Sequence, residues 1–151
     1  MRPPATRLSE AASGLLYAAL FCLTHIVSTI LLAVLLRFLL LKFGVLGFPG
    51  AHLLVIVAVA SFVAIAFAKR RNRMFTSKEF WVLFGGSALY LIVLDHLLAT
   101  TYVNAVGIGG YLVSIGTLLT IVDLAVLYLS LQFLGRRLMA RYLAPQNSSG
   151  A

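Results

Sequence analysis

Residues 11–36 read AASGLLYAALFCLTHIVSTILLAVLL and contain no Asp, Glu, Lys or Arg. About 20 apolar helical residues cross a hydrocarbon core of about 30 Å. The stretch therefore predicts a first transmembrane helix with length to spare, taken up by tilt. Arg7 and Glu10 flank it on one side, Arg37 and Lys42 on the other. It is too long for the apolar region of a cleaved signal, and no small-residue cleavage pattern follows it. Gly47-Phe48-Pro49-Gly50 then marks a reversal. A second span covers residues 51–68 and stops at Lys69-Arg70-Arg71-Asn72-Arg73. A third covers 80–102, and a glycine-bearing break at 104–110 leads to a fourth over 111–134, ended by Gly135-Arg136-Arg137. The expected fold is all-α: an integral membrane four-helix bundle, one transmembrane domain over residues 1–144. Residues 145–151, small and polar, read as a flexible tail.

Composition agrees. Of 151 residues, 62% are hydrophobic and 11% charged, with mean hydropathy +1.03. A soluble domain is roughly 45–50% apolar and about 25% charged, and a body this small cannot hide so much apolar surface from water. A single cysteine, Cys22, excludes an internal disulfide framework.

The net charge of +8 is explained by where the charges fall. With four spans, both termini share a side with the second loop. That side holds ten of the twelve Lys and Arg residues, among them Lys69, Arg70, Arg71, Arg73, Lys78, Arg136, Arg137 and Arg141. Short cytoplasmic loops carry such an excess, so both termini are expected in the cytoplasm. The same residues would meet anionic lipid headgroups, and their position beside spans argues against nucleic acid as a partner. Thr76 and Glu79, three residues apart before an apolar run, have the spacing of a capping box.

Small residues predict the packing, because close helix contact in lipid depends on them. Ala60, Ala64 and Ala68 form a row in the second span, and Gly85-Gly86-Ser87-Ala88 opens the third. Their short connection suggests that these two helices pair directly at the basic end. A homodimer seam on one of these faces is the other use of the same rows.

Ionisable residues inside spans are costly and mark functional candidates. His25, Asp95 and Asp123 lie about 22, 24 and 20 Å from the basic end at a rise of about 1.5 Å per residue. They are therefore expected in one polar layer, with Tyr102 sharing the face of Asp95 and Thr120 that of Asp123. His96 points about 100° away from Asp95. His52, near an outer helix end, carries little weight. Such a layer suits either a proton relay or cation site, or an interhelical hydrogen-bonded clamp. Histidine and cysteine spacing predicts no metal site, and no catalytic motif or cofactor signature is present, so an enzyme is not expected.

The stretch Phe67-Ala68-Lys69-Arg70-Arg71-Asn72-Arg73-Met74-Phe75-Thr76-Ser77-Lys78-Glu79-Phe80-Trp81 resembles the inner loop of a family of small four-helix bacterial inner-membrane proteins of unknown function. Those proteins show a basic run, an Arg-x-Pro or similar step, and a Glu opening the third helix. Here Phe75 stands where proline is usual. The resemblance implies a multi-pass bacterial inner-membrane protein and brings no activity. Small multidrug exporters are similar in size and span number, but their first-helix Glu is replaced by His25. The leading expectation is a non-enzymatic accessory, assembly or immunity-type partner of another membrane protein. The alternative is a small proton-coupled transporter or ion pathway, a homo-oligomer because four short spans enclose little volume.

Overall fold

The computed structural model describes residues 9–43, 50–106 and 111–148, with backbone alone at 99, 101–106, 111–116 and 145–148. The chain forms α1 (Glu10–Phe43), α2 (Ala51–Arg71), α3 (Ser77–Val106), α4 (Tyr111–Leu129), a π-helical turn at Ser130–Gly135, and α5 (Arg136–Ser148). Four helices are long and apolar enough to cross a membrane; α4, the π turn and α5 supply the last of them as one continuous rod. A helix satisfies its backbone N–H and C=O groups internally, as a segment without water around it must.

The helices pack in a ring, α1 beside α2, α2 beside α4, α4 beside α3, and α3 beside α1. The expected direct pairing of α2 with α3 at the basic end does not occur; the two lie across a diagonal. The small residues explain the difference, because they serve other partners. A Cβ at Gly86 would lie 2.8 Å from Ala18 Cβ, and one at Gly14 would lie 2.8 Å from Val82 Cβ, so α3 closes on α1. The alanine row of α2 meets the π turn instead: a Cβ at Gly135 would lie 3.2 Å from Ala64 Cβ. Gly135 therefore serves close approach and does not stop the helix, as the sequence suggests it should. The rod continues through Arg136 and Arg137 to Ser148, so the stretch expected as loose tail from residue 145 is helical through Ser148.

The core occupies the basic half of the bundle. Phe21, Ile56, Val63, Phe67, Leu83, Leu91, Leu127, Leu131 and Met139 are fully buried there. Rings continue it outward: Phe67 packs on Tyr17 and Phe75, and Tyr128 on Phe80, Trp81 and Phe84. Beyond it, α1 is a different object. Its last buried residue is His25, and Ile30, Leu31, Val34, Leu35, Phe38 and Leu41 on its far half are exposed. Eighteen residues of α1, about 27 Å, lie beyond His25. Yet the first turn of α2 already reaches that level, because the His52 ring meets the His25 ring edge-on at 5.4 Å between centroids.

Candidate functional site

Two clusters of charged side chains are built in the described residues, and they are built differently. At the basic end, the turn Asn72–Thr76 leads from α2 into α3. Asn72 adopts a left-handed backbone conformation (φ 51°) and its N–H closes α2 on Ala68 O at 2.9 Å. The capping box forms as expected: Glu79 N–H donates to Thr76 Oγ1 at 3.3 Å, and Thr76 N–H donates to Glu79 Oε2 at 3.0 Å. The sequence does not foretell that Arg73 grips the same carboxylate with both nitrogens, at 2.7 and 2.8 Å. These bonds hold the Arg73 guanidinium above the ordinary arginine range, so it stays charged. Arg73 is thus a structural partner as well as a topology signal. Lys69, Arg70, Lys78, Arg136, Arg137 and Arg141 are exposed around it, and Arg136 lies over the Phe80 ring.

The second cluster sits where α2 begins. Its parts come from three helices: His52 from the first turn of α2, Asp95 from the middle of α3, and Asp123 with Thr120 from one face of α4. His52 Nε2 donates to Asp123 Oδ2 at 3.0 Å, and Thr120 Oγ1 donates to Asp95 Oδ2 at 3.0 Å. One ligating atom from each of His52, Asp95 and Asp123 falls within 4.8 Å of the others. Asp123 is buried, with 4% of its side chain exposed, whereas His52 retains 36%. The cluster is therefore closed on the α4 side and open at the mouth of α2.

His25 borders this cluster without being one of its bonded pairs. It is fully buried, stacked on Phe21, with Nδ1 3.2 Å from Tyr90 Oη. Its Nε2 has no hydrogen-bond partner. A buried polar atom left unpaired costs roughly 1–3 kcal/mol, so this nitrogen is unusual in a chain whose other histidines are bonded. His96 is exposed and bonds the Ile92 carbonyl of its own helix at 2.9 Å, in line with the direction expected for it. The side chain of Tyr102 lies outside the described residues.

The structure thus brings Asp95, Asp123 and Thr120 together, sets His25 beside them, and replaces His25 by His52 at the centre. The sequence gives His52 little weight only if a helix end is equated with a membrane border. In fact α2 starts level with the middle of α1. One signal points that way: the apolar run 11–36 is eight residues longer than the run 51–68, so the two helices cannot match at both ends. Ligand spacing along the chain fails for a related reason, since the three donors come from three helices and share no local motif.

No protein-family model, curated protein or solved structure matches the chain.

Proposed function

We propose that the chain is a small cation pathway of a bacterial inner membrane, multi-pass, with both termini in the cytoplasm and the cation held at His52, Asp95 and Asp123. The observation that carries the reading is the gathering of two carboxylates and an imidazole from three apolar helices within 4.8 Å. Magnitudes favour function over a mere clamp. An ionisable side chain at the centre of a spanning helix costs roughly 2.5–3.5 kcal/mol on insertion scales. An interhelical hydrogen bond in a membrane returns about 0.6 kcal/mol on average. Two such bonds do not offset two aspartates, so stability gives little reason to keep them. Transport by four short spans calls for more than one copy, and a homo-oligomer belongs to this reading.

The orientation follows the basic end, where Arg73, Lys78, Arg136 and their neighbours would meet anionic headgroups of the cytoplasmic leaflet. A reporter at Ala151 active only outside the cell would overturn it, as would a Gly47→Cys variant labelled only from within. For the pathway, the test is cation and proton flux in reconstituted vesicles. Wild type should exceed empty vesicles, and Asp95→Asn and Asp123→Asn should not, since Asn keeps size and hydrogen bonding but carries no charge. Equal flux in all four preparations removes the pathway.

A second reading, the non-enzymatic accessory or assembly partner, draws on α1. Its far half leaves Ile30, Leu31, Val34, Leu35, Phe38 and Leu41 exposed, which suits a helix that docks on another membrane protein. A pull-down in mild detergent that recovers only the chain itself, at every expression level, would count against it.

A further inference from the structure

Resting on the cation reading of the same centre, we propose that its ion is a divalent transition metal of the zinc kind, bound by His52 Nε2 and one oxygen each of Asp95 and Asp123. Charge decides the valence. Two carboxylates and a neutral imidazole carry two negative charges, which one divalent ion cancels, and an apolar span tolerates a neutral assembly far better than a charged one. Donor type decides the class. Mg²⁺ and Ca²⁺ favour shells made wholly of oxygen, whereas an imidazole nitrogen beside carboxylates suits Zn²⁺ and its neighbours.

Geometry permits the site. Zinc–ligand bonds of about 2.0–2.2 Å place tetrahedral ligand atoms roughly 3.5 Å apart. The three donors, already within 4.8 Å, need to draw in by about an ångström, a matter of side-chain rotation. His52 now donates from Nε2 to Asp123. Moving that proton to Nδ1, the other neutral tautomer, frees the Nε2 lone pair and releases no proton to solvent. Thr120, bonded to Asp95 Oδ2, would fix that carboxylate in place, the usual task of a group behind a metal ligand.

Two further observations fit. The partly exposed His52 side chain gives an ion a way in from the end opposite the basic loops. Independently of the three donors, His25 keeps an unpartnered Nε2 in full burial, its ring against that of His52. With Nδ1–H donated to Tyr90 Oη, that nitrogen keeps a free lone pair, on a ring whose centroid lies 5.4 Å from that of His52.

The experiment uses the full chain, free of any tag, stripped with EDTA in detergent micelles and titrated with Zn²⁺. Co²⁺ titration followed by visible absorption reports the coordination. The expected result is one Zn²⁺ per chain, displaced little by millimolar Mg²⁺ or Ca²⁺. A Co²⁺ band that Zn²⁺ abolishes should accompany it. His52→Gln, Asp95→Asn and Asp123→Asn should each weaken binding at least tenfold, and Thr120→Val less than these. His96→Gln, at an exposed histidine that neighbours Asp95 in sequence but bonds the Ile92 carbonyl of its own helix, should match wild type. Melting temperatures confirm that each variant is folded, and the Co²⁺ band of wild type stands even if one variant is not. Absence of saturable binding overturns the proposal, as does wild-type affinity in folded Asp123→Asn, or a loss in His96→Gln as large as in His52→Gln. Saturable, Asp123-dependent Zn²⁺ binding without any flux upholds the metal site and removes only the pathway. Asp123-dependent flux without saturable Zn²⁺ binding does the reverse.

Discussion

Glu79 and Asp123 are both buried carboxylates within long apolar helices, each with a cationic or imidazole partner, and the chain treats them in opposite ways. Glu79 accepts bonds from Arg73 and Thr76 within its own turn, and the helices around it close on glycine and alanine. Three bonds occupy that carboxylate. Asp123 accepts one bond from a histidine 71 residues away. It faces a second carboxylate, beside an imidazole nitrogen with no partner. A structural charge and an available one differ in how they are satisfied. The first is held by three bonds from its own turn, the second by one bond across helices.

Breaking the satisfied end should cost most. Arg73→Ala leaves Glu79 buried without its countercharge. Removing one partner of a buried pair costs roughly 3–5 kcal/mol, and because 42% of the Arg73 side chain is exposed the expected loss is about 2–3 kcal/mol. Reversible unfolding in mixed micelles measures it, and a loss under 1 kcal/mol would show that solvent already screens the pair.

Next comes the close approach of α1 and α3. Gly86→Leu drives carbon into Ala18 and should cost about 1–3 kcal/mol. Gly85→Leu, where an added Cβ meets nothing within 4 Å, should be tolerated in the same unfolding assay. Equal losses at the two positions would contradict the ring order of the helices. Smaller again is the cap: Thr76→Ala should cost about 1 kcal/mol, read as earlier fraying of the α3 start in hydrogen exchange.

The same comparison explains what could be read in advance. The spans, the capping box and the gathering of basic residues at one end are local facts of composition and spacing. They were legible because a helix of given length has few alternatives. A separation of three residues is enough to place Glu79 in its cap with Thr76. The polar centre was legible in part: Asp95, Asp123 and Thr120 follow from depth and helix face. His52 does not, since its place depends on how far α2 is slid along α1, and no local signal sets that offset except unequal span length. Packing failed for the same reason. The small-residue rows were visible, but which row meets which is a long-range choice. It went to Gly86 with Ala18 and Gly135 with Ala64 rather than to the two rows joined by the shortest turn.

If the polar centre is kept for a cation and not for stability, Asp123→Asn separates the two when flux and unfolding are measured on one preparation. Vesicles bearing this variant should fall to the cation flux of empty vesicles while its unfolding free energy stays within about 0.6 kcal/mol of wild type, the worth of one interhelical hydrogen bond. Wild-type flux in the variant, or flux no higher than that of empty vesicles in both proteins, would contradict it and leave the centre a clamp.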